Sequence, residues 1–418
     1  MKDFRKQEEP EKNGQYSNSS SINSDNICDN QSNQNNRKEE ITEEEKNVVK
    51  LSSKFLGLGI RTKFVYYLKG PVVTNYTFTL SNDVPLSKVL GKSEDLALSV
   101  GAVSCIIQRI GGEIVISIPN NPEDRQIVDF KDNLYWYLHN EKVREARIPI
   151  PLGINIQGQK SFFELTDMPH ALVAGSTGAG KSVWLSSIIE SLVYKFDSDY
   201  VKMYLVDTKR VDLPLFKDLP HIIGLADDIK SFHSEVCYQV MGEIRHRLQL
   251  FQTESIRNID SYKKKTGNKI PYILVIIDEL ADVLELDKEL DRKKDGEYEG
   301  TPTVKAWLKR VTAIARAAGI HIIACTQRSS VKIIDGDIKA NFNCRIALRL
   351  PTGFDSRTIL GENGAENLLG KGDMLVKKPD TDILERFHGP FVRDEDIKEL
   401  VENYNQLKTI LSAPIISH

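Results

Sequence analysis

The residues with the clearest chemistry form a short glycine-rich run that ends in a lysine and a serine. The run matches the phosphate-binding motif G-x-x-x-x-G-K-[ST] along its whole length. Backbone N–H groups in such a loop converge on a phosphate, Lys181 would reach the β- and γ-phosphates, and Ser182 would hold Mg²⁺ through its hydroxyl. The sequence therefore predicts a site for ATP and Mg²⁺ at Gly175, Ser176, Thr177, Gly178, Ala179, Gly180, Lys181 and Ser182.

Two carboxylates follow a second informative segment, the apolar run at 272–277. The run predicts a buried strand, and Asp278 at its end would join the Mg²⁺ shell, because a hard cation prefers oxygen ligands. Glu279 would sit beside the γ-phosphate and polarise the attacking water. The alternative is an acidic pair that only caps the next helix. Beside a complete phosphate loop, the pair predicts that nucleotide is hydrolysed as well as bound.

A third apolar run, at 320–326, ends in Gln327. In motor ATPases of this architecture, a polar residue at that strand tip contacts the γ-phosphate and the catalytic water. Gln327 fits that role, and the alternative is an amide that only satisfies nearby backbone groups.

Strands and helices alternate between residues 149 and 395, and this pattern must position the three motifs. Alternation of this kind favours a mostly parallel sheet covered on both faces, here an α/β P-loop ATPase domain of RecA-like type. Strands are predicted at 171–174, 202–207, 271–277, 319–325, 344–350 and 373–376, and helices at 181–195, 229–250, 303–318 and 395–408.

The remaining sequence divides by composition. Residues 1–48 are polar and predict a disordered tail, because they could bury too little apolar area to offset their ordering entropy. Residues 50–148 predict a small α+β domain, and the charged stretch at 284–302 predicts a solvated insertion. The predicted units are a disordered polar tail at 1–48, the small domain at 50–148, the ATPase domain at 149–395, and a C-terminal helix and tail at 396–418.

The composition of the whole chain argues against three classes of protein: those with an overall basic charge, those built on zinc or disulfides, and those that span a membrane. The formal net charge of the 418 residues is −3, so binding to nucleic acid would have to come from local patches. Five cysteines lack CxxC spacing, which argues against a zinc site or a disulfide framework and predicts a cytoplasmic protein. No apolar run approaches the roughly 18 residues of a membrane-spanning helix.

Several further segments around the nucleotide motifs are distinctive when they are taken together. They are V-D-T-K-R at 206–210, A-R-A-A-G-I-H at 315–321, A-C-T-Q-R at 324–328, and shorter matches at 70–74, 118–120, 338–341, 355–360 and 372–375. Together they resemble the FtsK/SpoIIIE family of DNA translocases over roughly residues 50–395. Thr208 and Ser329 stand where that family has prolines.

The resemblance implies a ring, usually a hexamer, that threads double-stranded DNA through a central pore at the expense of ATP. It also implies that a neighbouring subunit supplies an arginine to the γ-phosphate. Arg316 is the first choice by its place in A-R-A-A-G, with Arg345 and Arg357 as alternatives.

DNA contacts in this family come from two pore loops, which the resemblance places at Arg257 and at Lys332 and Lys339. Contacts of Arg and Lys with phosphates are independent of base sequence, as a tracking motor requires. The run Lys263-Lys264-Lys265 is equally compatible with a DNA contact and with a solvated charge run.

The sequence shows no counterpart of the membrane-spanning region or the winged-helix domain that family members carry. This favours a bare motor in DNA transfer or segregation, such as the coupling protein of a conjugative or integrative element, with a membrane protein or a relaxase as a partner. Two alternatives are an ATPase that moves a protein, as in type VII secretion, and a nucleotide-gated DNA-binding protein with little turnover. The first usually has tandem ATPase domains, and the intact phosphate loop and acidic pair speak against the second.

Overall fold

The structure, a computed structural model, describes residues 41–411 apart from 269, 291–300, 331–332, 380 and 382. The strands are β1 Thr62–Lys69, β2 Val73–Leu80, β3 Ile106–Ile110, β4 Glu113–Pro119, β5 Pro149–Asn155, β6 Lys160–Glu164, β7 His170–Ala174, β8 Val201–Val206, β9 Ile222–Ala226, β10 Tyr272–Ile277, β11 Ile320–Thr326, β12 Cys344–Leu348, β13 Asp373–Lys377 and β14 Leu384–His388. The α-helices are α1 Glu43–Gly57, α2 Leu86–Leu90, α3 Ser93–Val100, α4 Phe130–His139, α5 Glu141–Glu145, α6 Lys181–Lys195, α7 Ile229–Ser231, α8 Tyr238–Thr253, α9 Ile259–Thr266, α10 Leu280–Glu289, α11 Val304–Ala318, α12 Gly336–Asn341, α13 Gly353–Leu360 and α14 Asp394–Leu411.

A small α+β unit is formed by an antiparallel sheet of order β1-β2-β4-β3 and the helices α1 to α3. Its own core includes Phe55, Phe78 and Ile116. The unit is therefore of the α+β type that the sequence predicts. Helix α1 begins inside the predicted tail, because Thr42 and Glu45 form a capping box and the helix buries Leu51 and Phe55. Residues 1–40 lie outside the described part of the chain.

The larger unit begins earlier than predicted. Phe130 of α4 lies in the same buried cluster as Ile150 of β5 and Trp184 of α6. The hydroxyl of Tyr137, also on α4, donates a hydrogen bond of 2.7 Å to the carbonyl of Pro149. The division of the chain therefore falls before residue 130 rather than at 148–149, since α4 buries its apolar face against the larger core.

The large sheet has ten strands in the order β6-β5-β14-β13-β12-β7-β11-β10-β8-β9. The strands from β12 to β9 run parallel, and the others pair antiparallel at the β6 side. Every residue of β7, β10 and β11 is buried, as expected for parallel strands covered on both faces. This confirms the α/β P-loop architecture with a mostly parallel sheet.

Two predicted segments differ in detail. The helix at 229–250 is interrupted between α7 and α8 by a π-helical segment, Phe232–Cys237. The predicted solvated insertion at 284–302 is wrong for its first part, because α10 continues to Glu289 and buries Leu284 and Asp287. Asp287 is bonded to His233 and to the backbone N–H of Val304, so it joins three elements. Residues 291–300 lie outside the described part.

Parallel strands place their following residues at one edge of the sheet. The phosphate loop follows β7, and Asp207, Asp278 and Gln327 follow β8, β10 and β11. We call this the nucleotide edge. Within the described ranges, no helix is both long and apolar enough to cross a membrane.

Candidate nucleotide site

The phosphate loop, residues 175–182, is held by its neighbours through backbone bonds. Gly175 N–H donates to the carbonyl of Thr326 at 3.1 Å, and Ser176 N–H donates to that of Arg349 at 2.9 Å. Gly180 has φ 100°, and a Cβ there would lie 2.4 Å from the nitrogen of Gly372, so only glycine fits. No described side chain caps the first turn of α6, so the free N–H groups of that turn are available to a phosphate. The loop therefore fits the polyphosphate of a nucleotide.

Lys181 is buried and lies against the acidic strand. Its Nζ atom donates a hydrogen bond of 2.5 Å to the carbonyl of Asp278 and lies 3.1 Å from Oδ1 of the same residue. Burial acts to lower the pKa of Lys181, but neighbouring acidic groups, including Asp278 and Glu279, outweigh it and the net shift is upward. The residue therefore carries a positive charge within the site.

The donor set for Mg²⁺ consists of oxygens. Asp278 is buried and its Oδ1 atom accepts no hydrogen bond from the described residues, although Lys181 is an ion-pair neighbour. Burial raises its pKa, Lys181 opposes the shift, and Asp207 and Asp212 add to it. Ser182 is half-buried on the first turn of α6. A carboxylate and a hydroxyl suit Mg²⁺, which keeps waters and phosphate oxygens as its other ligands.

Glu279 is buried at the centre of a hydrogen-bond network. Its Oε1 atom accepts from the hydroxyl of Thr326 at 2.7 Å, and its Oε2 atom accepts from the N–H of Gln327 at 2.9 Å. Oε1 also accepts from Ala281 N–H at 3.3 Å, so the side chain caps α10 as the alternative interpretation expected. The same carboxylate therefore caps α10 and lies in the nucleotide site, so the two interpretations are compatible.

Gln327 connects the acidic strand to the phosphate loop. Its backbone N–H is bonded to Glu279, while its side-chain Oε1 accepts from the hydroxyl of Thr177 at 3.1 Å. The amide side chain thus lies over the phosphate loop, where the sequence predicts a contact with the γ-phosphate.

Lys209 is a site residue to which the sequence analysis gave no role. Its Nζ atom lies 3.5 Å from Oε2 of Glu279. The buried carboxylate of Asp207 positions it by accepting hydrogen bonds from the backbone N–H groups of Lys209, Arg210, Val211, Asp212 and Leu213. The motif D-T-K at 207–209 marked the segment but did not indicate which residue forms the turn and which faces the site.

Arg349 was also missed. Its carbonyl accepts hydrogen bonds from both the N–H and the hydroxyl of Ser176, each at 2.9 Å. It follows β12, next to β7 in the sheet, and its side chain is exposed beside the phosphate loop. Only the pairing of β12 with β7 reveals this proximity, and that pairing is not visible in the sequence.

The three candidate arginines have no side-chain bond to this network among the described residues. Arg316 is exposed at the end of α11, before β11, whereas Gln327 follows β11; the seven residues of that strand separate them by roughly 20 Å. Arg345 is half-buried and donates to the carbonyls of Phe342 and Lys339. Arg357 is exposed on α13 and donates to Asn363 at 2.7 Å. Within the described part of the chain, none of their side chains is bonded to the phosphate loop.

The candidate DNA-binding residues are also distant from the phosphate loop. Arg257 is exposed in the turn between α8 and α9, and Lys339 is half-buried on α12. Lys332 lies outside the described residues. Lys263 is half-buried between two aromatic rings instead: its Nζ atom lies 4.0 Å from the Tyr272 ring centroid and 4.4 Å from that of Tyr200. Burial lowers the pKa of Lys263 to about 8, so it is not a solvated cation of the charge run.

Comparison with known proteins agrees with this geometry. The family model described as "FtsK/SpoIIIE family" matches residues 137–331, and the model of the FtsK alpha domain matches residues 25–120. The chain belongs to the FtsK/SpoIIIE family. The first match covers the part of the larger unit that carries β5 to β11, and the second includes the strands of the smaller α+β unit.

Curated relatives in this family match most of the chain. It is 37% identical over 357 residues to a DNA translocase FtsK of Borreliella burgdorferi, an alignment that covers 82% of this chain and 42% of the relative. It is 35% identical over 368 residues to the DNA translocase SpoIIIE of Bacillus subtilis, with 85% and 45% covered. The chain thus spans less than half the length of these two FtsK/SpoIIIE relatives.

Solved structures share the fold at lower identity. The conjugation coupling protein TcpA of pCW3, determined as a monomer with ATPγS, matches with a TM-score of 0.58 and 22% identity, covering 87% of this chain and 99% of that one. The cytoplasmic domain of the type VII secretion ATPase EccC from Thermomonospora curvata matches with a TM-score of 0.55 and 19% identity, covering 66% and 34%. These likenesses support the fold assignment.

Proposed function

We propose that this chain is an ATP-driven motor that translocates double-stranded DNA. One observation carries the proposal: a continuous network joins the phosphate loop to the acidic strand, through Lys181 with Asp278 and through Thr177, Gln327 and Glu279. Membership in the FtsK/SpoIIIE family supports DNA as the cargo, because the relatives that match most of this chain are named DNA translocases.

The residues of the network divide the work of hydrolysis. N–H groups of the phosphate loop bind the polyphosphate, and Lys181 neutralises charge on the β- and γ-phosphates. Mg²⁺, held by Ser182 and Asp278, would supply further neutralisation of the charge that develops on the leaving oxygen. Glu279 orients the attacking water and accepts its proton, while Gln327 holds that water in line. The bond from the γ-phosphorus to the bridging oxygen breaks and gives ADP and phosphate.

Arg316 would complete the site of a neighbouring copy in a ring, for which we propose a hexamer. Its place at the opposite edge of the sheet from the phosphate loop suits a residue that acts in trans, because one copy's nucleotide edge would face the next copy's opposite edge. Arg345 is less suited, since its guanidinium is bonded to carbonyls of its own chain. Arg357 stays an alternative.

DNA would pass through the centre of the ring, where Arg257, Lys332 and Lys339 would contact phosphates. The net charge of −3 makes such local contacts necessary, because the chain as a whole has no positive field. We assign the protein to the cytoplasm and to DNA transfer or segregation, with a membrane protein or a relaxase as a partner in transfer.

ATP turnover with and without duplex DNA tests the proposal. Wild-type turnover should rise when DNA is added, and Lys181→Ala should lower it by about 100-fold or more, because the cation nearest the phosphates is lost. A turnover rate that is the same with and without DNA, together with no DNA binding at low salt, would contradict the motor function.

A further inference from the structure

A short segment at residues 369–373, which we call the strap, lies directly behind the phosphate loop. Gly370, Lys371 and Gly372 all adopt left-handed backbone conformations, with φ of 81°, 53° and 96°. Three such residues in a row form a tight reversal that brings the backbone close to its neighbour. Lys371 is the informative member, because a residue with a Cβ adopts this conformation only where its surroundings impose it.

The strap contacts the phosphate loop through its backbone. The N–H of Gly372 donates a hydrogen bond of 2.8 Å to the carbonyl of Ala179, in the middle of the loop. The carbonyl of Gly372 in turn accepts from the N–H of Gly389 at 2.8 Å. The position of the phosphate loop therefore depends on the position of the strap.

A buried ion pair fixes the strap. The carboxylate of Asp373 accepts two hydrogen bonds from Arg386, from Nε at 2.9 Å and from Nη2 at 2.7 Å. The same carboxylate accepts from the N–H of Leu369 at 2.8 Å, which closes the segment on itself. Both side chains of the pair are at most 3% exposed, so the contact is little screened by solvent.

We propose that Asp373 and Arg386 are positioning residues for nucleotide binding, acting through the strap on the phosphate loop. This rests on the proposed function, since the ligand is the ATP of that site. The pair touches neither nucleotide nor metal. It holds the loop N–H groups where the phosphates need them, and small misplacements of such groups weaken binding by large factors.

The small domain encloses the same region. The hydroxyl of Ser104 donates to the carbonyl of Asn367 at 3.0 Å, two residues before the strap, and the amide of Gln108 donates to the carbonyl of Leu384 at 2.5 Å, two residues before Arg386. A cavity of about 20 Å³ lies between the domains, lined by Asp373, Arg386 and Asn75 among others. The ion pair is thus at the junction of the two units.

The chain offers a matched control for testing this role. Asp373→Asn removes a carboxylate from an ion pair between β13 and β14. Glu385→Gln removes a carboxylate from the more exposed ion pair that Glu385 forms with Lys378 at 2.8 Å across the same hairpin, away from the strap. Arg386→Lys keeps the positive charge but loses the two-point contact with Asp373.

Equilibrium binding of a fluorescent ATP analogue is measured for each variant, together with KM and kcat, below the melting temperature of the least stable variant. Asp373→Asn and Arg386→Lys should raise Kd and KM roughly tenfold, as loss of a positioning partner does. The kcat should stay within about twofold of wild type, because no group that contacts the reacting atoms has changed. Glu385→Gln should match wild type.

Unchanged Kd in folded Arg386→Lys overturns the proposal, as does an equal rise in Glu385→Gln. If Asp373→Asn does not fold, Arg386→Lys decides alone, because it preserves the buried charge. Wild-type protein that binds the analogue but ignores DNA contradicts the motor function and leaves the role of the strap standing. Wild-type protein that binds no nucleotide overturns both.

Discussion

Glu279 shows how one side chain can be both a structural and a chemical group. It caps α10 through Ala281 N–H and accepts hydrogen bonds from Thr326 and Gln327. These bonds restrict its rotation, so the carboxylate is pre-organised for the attacking water. Replacement by alanine would confound catalysis with the loss of the cap. Glu279→Gln keeps one oxygen for these donors and isolates the chemical role.

Arg316 supports a prediction that only an assembly can satisfy. Its side chain is exposed and makes no hydrogen bond or ion pair with the described residues, so Arg316→Ala should change stability by less than about 0.5 kcal/mol. Its turnover should fall about 100-fold or more if the arginine stabilises the transition state. Mixing this variant with Lys181→Ala should restore part of the activity, because mixed rings contain sites with both an intact Lys181 and a neighbouring Arg316.

The activity of the mixture distinguishes an arginine that acts in trans from a substitution that inactivates each copy by itself. Arg310→Ala is the control, since Arg310 is an exposed arginine on the same helix. Mixtures that are no more active than either variant alone contradict action in trans and direct attention to Arg357.

At the scale of the elements, α6 carries an unusual buried acid. Glu190 is 1% exposed and neither carboxylate oxygen has a hydrogen-bond partner among the described residues. Burial raises its pKa from 4.5 to about 9, with Asp396 adding to the shift and Lys131 opposing it. Above about pH 4.5 the unfolded state releases this proton while the folded state keeps it. The free energy of unfolding therefore falls as pH rises from about 4.5 to about 9.

Glu190→Gln should remove that dependence. The free energy of unfolding at pH 8 should rise by roughly 5 kcal/mol, at about 1.4 kcal/mol for each pH unit above 4.5, and the gain should vanish below about pH 4.5, where both states are protonated. Denaturant unfolding between pH 4 and pH 9 measures it. Glu399→Gln on α14 is the control, because that side chain is 46% exposed and its replacement leaves the buried acid in place. A slope in Glu190→Gln equal to that of wild type contradicts the assignment.

The elements that could be predicted from the sequence are those whose own residues form a recognisable pattern of apolar side chains. Strands β7, β10 and β11 are buried along their whole length and appear as uninterrupted apolar runs. The strands of the antiparallel side, such as β6 with its half-buried pattern, lack that signal. Helix α4 was assigned to the wrong unit because its partners, Ile150 and Trp184, follow it in the chain.

The candidate site follows the same division. The places of Lys181, Asp278, Glu279 and Gln327 could be predicted, because Lys181 belongs to a phosphate-loop motif and the other three follow buried strands; their roles stay predictions. The contacts of Arg349 with Ser176 and of Arg386 with Asp373 were not, since each depends on which strands pair. Lys263 resembled its charged neighbours in sequence, and only the packing of Tyr200 and Tyr272 around it shows its structural role.

At the scale of the whole molecule, the chain has a nucleotide edge, an opposite edge that carries Arg316, and a small domain beside the strap. In a ring, hydrolysis at one interface would be communicated to the next copy and to DNA in the pore. The central claim is that this chemistry moves the protein along duplex DNA.

Displacement of a third strand from a DNA triplex measures that movement most directly. Wild-type protein should displace the strand only with ATP and Mg²⁺, whereas Glu279→Gln should bind nucleotide and DNA but leave the triplex intact. Wild-type protein that hydrolyses ATP in the presence of DNA and leaves the third strand in place, or Glu279→Gln that displaces it at the wild-type rate, would contradict the account.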